Sequence, residues 1–403
     1  MKRITPLIIV TVFICLVIQS CRIEKPVVRI GIIHSLTGTM AFSEKPLVEA
    51  LMLAIEEINL KGGVLGHKVE AIVIDGKSDK NVFAKETERL ILEEHVSAIF
   101  GCWTSACRKA VQPIVERHQN LLFYPLQYEG LEQSPSIVYT GATPNQQITP
   151  SITWALNHLG KRFFLIGSDY IFPRTANFFI KDLLRVKHAE VVAEHYLPLG
   201  SKEVAIIVDE IERLQPDVIL NTINGDSNLA FFSALKKTIA IPVISYSIAE
   251  PEFAQIGSEI MEGHYAAWNY FQSIDRSENK AFIAKFKKRF GEKILISDPM
   301  EASYIGFHLW ARAVEHAQSH DPQRVKSVIR TESFNAPEGV VAVDATNLHL
   351  WKIARIGQAQ KNGQFNIIWE SDAPIRPVPY PSYRSKKEWH KIAKALANLE
   401  LAQ

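Results

Sequence analysis

Little in this sequence belongs to the usual catalytic vocabulary. It has no G-x-S-x-G elbow for a nucleophilic serine, no G-x-x-x-x-G-K-[S/T] loop for phosphates and no H-E-x-x-H helix for zinc. The G-x-x-x-G at Gly62–Gly66 falls in a connecting turn. Thirteen histidines are scattered, without a pair at metal-binding helical spacing beside an acid. Cysteine is scarce, four in all. As a nucleophile Cys102 would need a histidine close by, and His118 lies about 24 Å along a helix at 1.5 Å per residue. Neither an enzyme nor a metal or other cofactor is expected. An excess of one charge is also missing: 45 Lys and Arg face 43 Asp and Glu, for a formal charge of +2. With no basic run carrying interleaved aromatics, nucleic acid is not an expected partner.

A membrane-spanning run is absent too. After MKR, the stretch TPLIIVTVFICLVIQ supplies roughly fifteen mostly apolar residues, too few to cross a bilayer comfortably. It ends in Ile18-Gln19-Ser20-Cys21, which resembles a bacterial lipobox. That implies cleavage of residues 1–20, lipidation of Cys21 and a place in the cell envelope, periplasmic or extracytoplasmic. A plain signal peptide or short anchor is the alternative. Of the remaining cysteines, Cys102 and Cys107 are expected as two buried thiols. An oxidising compartment permits a bridge, but a strand end and the following helix turn rarely present suitable Cβ vectors.

What the sequence does have is alternation. VVRIGII (Val27–Ile33), KVEAIVID (Lys68–Asp75) and SAIFG (Ser97–Gly101) read as strands, separated by amphipathic runs such as EALMLAIEEINLKGG (Glu49–Gly63). The pattern restarts at KRFFLIGS and continues through AEVVAEHY, DVILNT, IPVISY and GHYAAW. Short β-branched runs between helices predict parallel sheets covered on both faces, here in two lobes. VVAVD, HLWKIARI and FNIIWE read as late strands, and the Pro-rich SDAPIRPVPYPSYR as an extended surface tail.

Parallel α/β sheets hold ligands at the carboxyl ends of their strands. The turns there include HSLTG, GCWTS, YPLQYEG, GSDYIFP, NTINGDSN, SYSIAE and AAWNYF. In GCWTS, Thr104 and Ser105 stand at a helix start, whose unpaired N–H groups suit a carbonyl oxygen or an anion, although one hydroxyl there ordinarily caps the helix. Trp103, Tyr124, Tyr128, Tyr170 and Trp268 all fall at or beside strand ends.

Taken together, GCWTSACRKAVQPIVE, LLFYPLQYEGLEQSPSIVYTGATPNQQ, GSDYIFPRTANFF, NTINGDSNLAFF and HYAAWNYFQSID resemble the substrate-binding proteins of bacterial urea ABC transporters. These belong to the type I periplasmic binding proteins, next to the short-chain amide-sensing branch, and the resemblance covers nearly everything after the lipobox. It implies two Rossmann-like lobes joined by a three-strand hinge, with crossovers near Gly141–Asn145, Phe271–Asp275 and His349–Ile353. Lobe one then comprises residues 27–140 and 276–348, and lobe two 146–270 and 354–403. It also implies urea or a similar small amide as ligand, ABC permease subunits as partners, and a lipid anchor at Cys21. In such proteins the turn matching Trp103-Thr104-Ser105 cradles the ligand carbonyl, Tyr124 closes over it, and Tyr170 reaches in from the other lobe. Phe172 and Leu126 replace the Tyr and Thr of the amide sensor, which weakens an acetamide reading.

Urea carries four N–H donors and one acceptor oxygen, so its pocket must be rich in acceptors, each buried donor left unmade costing about 1–3 kcal/mol. Asn224 and Asp226 supply acceptors in NTINGDSN, and Asp226 is expected to take two N–H bonds from one edge, unless it only caps the following helix. Glu250 is a weaker candidate, or a helix-start acid; His34 and Ser35 are weaker still. An amino acid fits less well, because Arg174 and Lys77 are the basic residues near the expected cleft and both read as exposed. A short-chain amide sensor and an amidohydrolase-like enzyme remain as competing readings.

Overall fold

The computed structural model describes residues 27–235 and 240–401, so Cys21 and the leader lie outside the described residues. Two α/β lobes are present. In the first, β1 (Val27–His34), β2 (Lys68–Asp75), β3 (Ile99–Gly101), β4 (Leu122–Tyr124) and β5 (Ile137–Tyr139) form a parallel sheet in the order β2-β1-β3-β4-β5. Ile30, Ile32 and Ile33 of β1 are fully buried between helices, each such side chain contributing about 1.5–3 kcal/mol.

The second lobe contains β6 (Arg162–Ser168), β7 (Glu190–Leu197), β8 (Val218–Thr222), β9 (Val243–Ser245) and β10 (Tyr265–Trp268). A small antiparallel sheet of β11 (Ser333–Ala336), β12 (Gly339–Val343) and β13 (Leu350–Trp351) follows in the chain. Then β14 (Arg355–Ala359) and β15 (Phe365–Glu370) complete the second sheet, ordered β15-β14-β10-β9-β8-β6-β7. Its core strands are parallel, and β14 and β15 join antiparallel at one edge.

The chain passes between lobes after β5, after β10 and between β13 and β14. HLWKIARI, expected as one strand, is therefore broken at Lys352–Ala354, because its two halves pair in different sheets. The helix expected at Glu49–Gly63 spans Ala41–Leu60 and includes Pro46. Beyond the Pro-rich tail, a helix at Lys386–Leu401 adds to what the sequence reading identified. It is anchored by Trp389, fully buried against Phe178 and Phe179, with its Nε1–H on the Pro381 carbonyl at 2.8 Å.

Candidate functional site

The turn after β3 is shaped by a close approach. Gly101 has φ +145°, and a Cβ there would stand 2.0 Å from the Ile33 carbonyl oxygen, so glycine alone lets β3 lie this close to β1. Three residues on, Thr104 is extended (φ −73°, ψ 149°), and its Oγ1 accepts the Cys107 N–H at 3.2 Å. It thus caps the helix Ser105–Arg117. Cys102 and Cys107 are joined by a disulfide, not held as two free thiols. The helix starts at once, so its first turn brings Cys107 back toward Cys102, with Cα atoms 6.5 Å apart, inside the range a bridge needs.

Trp103 links the lobes. Its carbonyl accepts the Tyr124 O–H at 2.6 Å, and its Nε1–H donates to Asn224 Oδ1 in the second lobe at 3.5 Å. Asn224 is itself fixed: its backbone N–H donates to Ser168 Oγ (3.0 Å) and its Nδ2 to the Thr222 carbonyl (3.2 Å). Tyr124 therefore holds the turn through the Trp103 backbone.

Ser105 belongs to a buried ion cluster behind the turn. Its Oγ donates to Glu129 Oε2 at 2.5 Å and accepts from Arg108 Nη1 at 3.1 Å. Arg108, fully buried, also donates to Glu129 (2.9 Å) and to Glu132 (2.7 Å), and lies over the Tyr124 and Tyr128 rings. Burial alone would raise the Glu132 carboxyl, but the Arg108 and Lys109 charges and its hydrogen bonds hold it down at about 2.

In front of the turn, a cavity of about 160 Å³ opens where the lobes meet. Ser35, Glu44, Ser78 and Thr104 line it from the first lobe, Tyr170 and Leu199 from the second, and Met40 and Phe83 add apolar surface. At roughly 30 Å³ per water, it has room for about five waters, enough for a small solute.

The other expected residues lie elsewhere. Asp226 is exposed just before the helix Ser227–Leu235, outside the lining of this cavity. Trp268 is buried with its Nε1–H on the Ile248 carbonyl at 2.7 Å. Glu250 is buried beside a hinge crossing, where Oε1 accepts the Gln272 N–H at 2.7 Å. Burial, with Asp298 and Glu252 nearby, pushes its carboxyl up to about 8.

A family model described as a periplasmic binding protein domain matches residues 28–386. The chain belongs to the periplasmic binding protein family. A solute binding protein of an ABC transporter from Rhodopseudomonas palustris, solved with p-hydroxybenzoic acid, superposes with a TM-score of 0.80 at 22% identity, over 87% of this chain and 98% of that one. A leucine binding protein from Thermotoga maritima gives 0.76 at 22% identity, over 85% and 98%. In sequence, a Leu/Ile/Val-binding protein homolog from Brucella melitensis is 22% identical over 80% of this chain and 85% of its own. A shorter match, 37% identical over 124 residues, is to a limonene hydroxylase from Geobacillus stearothermophilus; it takes in 31% of this chain and 23% of that protein.

This periplasmic binding protein also brings to the interlobe region residues that the sequence reading did not single out. Gln127, in YPLQYEG, donates its Nε2–H to the Tyr246 carbonyl across the cleft at 2.8 Å, while its buried Oε1 has no hydrogen-bond partner among the described residues. The neighbouring Ser247 hydroxyl is likewise buried without one. Both turns were recognisable as strand ends, but choosing Gln127 and Ser247 within them required knowing how the lobes face each other. Glu44 was hidden for a different reason: it lies beyond the HSLTG turn, inside a helix whose start the sequence places later.

Proposed function

We propose that this periplasmic binding protein is the extracytoplasmic solute-binding component of an ABC uptake transporter, capturing urea, or failing that a short-chain amide, by closure of its lobes. Anchoring through a lipid on Cys21 is part of this reading. The observation that carries it is the small interlobe cavity, walled by the hydroxyls of Ser35, Ser78 and Thr104, by Tyr170 and by one carboxylate. Among largely apolar surface from Met40, Phe83 and Leu199, these oxygens are the acceptors available to a ligand with four N–H donors. The transporter role is supported by the solved relative from R. palustris, whose own name places it in an ABC system.

A second reading has a specific observation behind it. Glu44 and Lys80 both line the cavity, giving the acid and the cation that an amino-acid zwitterion needs, and the relatives from T. maritima and B. melitensis are named for leucine-type ligands. Calorimetric titration of the chain from Arg22 onward with urea, acetamide and leucine separates these readings. Four heavy atoms at a ceiling of about 1.5 kcal/mol each place urea at a Kd on the order of tens of micromolar. Urea ahead of acetamide and leucine is the expected result. Leucine binding with urea silent moves the protein to the amino-acid reading, and acetamide first moves it to the amide branch.

A further inference from the structure

We infer that Glu44 is the residue that reads the ligand's N–H groups, a specificity determinant in the first turn of the helix Ala41–Leu60. This rests on the proposed small N–H-bearing ligand and assigns the acceptor role that the sequence reading gave to Asp226.

The argument begins with burial. Glu44 is 1% exposed and is one of the residues that line the cavity, so it is withdrawn from bulk solvent at the cavity wall. An acid in a first helical turn is ordinarily explained by the helix dipole, but that explanation does not require burial against a cavity. The orientation of the group is also fixed. Glu44 Oε2 accepts the Ser35 backbone N–H at 2.9 Å and stands 3.0 Å from His34 Nδ1. A carboxylate offers about four acceptor positions, and both of these contacts use the one oxygen Oε2, leaving capacity on Oε1 for further donors.

The same stretch of helix reports closure. One residue earlier, Ser43 Oγ donates to Glu252 Oε1 in the second lobe at 2.8 Å, and both side chains are buried. The segment that carries Glu44 is therefore held to the opposite lobe when the cleft is shut. Lobe closure and the placing of this acceptor are one event, which is how a weakly contacting solute would be recognised only in the closed form. Acetamide, with a methyl where urea has its second NH2, gives such an acceptor fewer donors.

The test is calorimetry on the full chain from Arg22 onward, wild type and Glu44→Gln, with urea, acetamide and leucine. The amide retains one acceptor oxygen for Ser35 and replaces the other with a donor NH2. Urea affinity is expected to fall about 10- to 100-fold, the cost of an unmade buried donor, and acetamide affinity by less than about 5-fold. A uniform loss for both ligands, or none, overturns the assignment. If Glu44→Gln fails to show a cooperative melt, Glu44→Asp keeps the charge and withdraws the carboxylate by one methylene. Retention of wild-type urea affinity in that variant also overturns it. A wild-type chain that ignores urea but binds leucine sinks the urea reading alone. In that case loss of leucine in Glu44→Gln supports Glu44 as the reader of the ammonium, and retention overturns it. A wild-type chain that takes none of the three overturns both.

Discussion

Two buried ionic clusters flank the cleft, and they are built on opposite terms. Behind the turn that follows β3, Arg108 meets Glu129 and Glu132, with Lys109 at the rim 3.0 Å from Glu132; charge is balanced, and Ser105 and Tyr139 supply further hydrogen bonds. At the hinge, the carboxyls of Glu250, Asp298, Glu301 and Glu338 share the interior with Lys352 and Arg355. Lys352 Nζ is 3.2 Å from Glu338 and donates to the Thr140 carbonyl at 2.9 Å, yet Glu250 Oε2, Asp298 Oδ1 and Glu301 Oε2 have no hydrogen-bond partner among the described residues. Burial raises the Glu301 and Glu338 carboxyls, with Lys352 pulling both back in part. A balanced cluster fixes geometry, whereas an acid-rich one must retain protons. The first suits a turn held in one conformation beside the cleft, and the second is expected to tie the stability of the hinge region to pH.

The comparison breaks most forcefully at Arg108. Arg108→Met leaves two buried carboxylates with only the half-exposed Lys109 as cation, and the expected loss is about 3–5 kcal/mol in denaturant unfolding at pH 7. A cost below about 1 kcal/mol would mean that the cluster relaxes freely and does not brace the turn. The sign in acid follows from Glu132, whose folded value near 2 lies below the ordinary 4.5. Its contribution is present above about pH 4.5 and is lost as pH falls through 2. Arg108→Met should remove most of that acid limb, Lys109 and the Tyr139 O–H retaining the remainder.

Glu250→Gln should act in the opposite direction. The folded chain holds this proton up to about pH 8, while an ordinary glutamate releases it near 4.5. Between those values the folded state binds more protons, so stability is greatest below about 4.5 and declines as pH rises through 8. Glutamine makes the neutral form permanent. Melting curves should show a gain of about 1–3 kcal/mol at pH 8 and almost none at pH 4. A loss at pH 8 would mean that the ionised carboxylate is needed at the hinge, and the contrast between the clusters would fail.

The repetition of strand and helix was legible because parallel strands buried on both faces are written as continuous apolar runs, VVRIGII and KRFFLIGS among them. Turns at strand ends could be read for the same reason. Which side chain in each turn faces the cleft was less accessible. Thr104 and Tyr170 line the cavity, whereas Ser105 completes an ion cluster whose acidic members lie 24 and 27 residues further along. Nothing local to GCWTSACR signals Glu129 or Glu132. The disulfide was missed because its geometry depends on the residue at which the helix begins. Trp389 and its helix were missed because the prolines before it read as an extended tail, and the partner surface of Phe178 and Phe179 is remote in sequence.

The smallest expected effect tests the joint between the lobes. Trp103→Phe keeps an aromatic ring in a site only 6% exposed, removing the Nε1–H that reaches Asn224 at 3.5 Å and, with it, part of the indole's buried volume. That distance is at the long end for a hydrogen bond, so its net worth is well under about 1 kcal/mol. Ligand affinity measured by calorimetry should weaken about 2- to 4-fold, because Asn224 retains its bonds to Ser168 and Thr222, while the lost ring volume lowers the melting temperature independently of ligand. A loss of more than about 100-fold would show that the indole contacts the solute directly. The recognition surface would then extend from the Glu44 wall across the turn to Asn224, and the interlobe bond would be a secondary consequence of ligand contact.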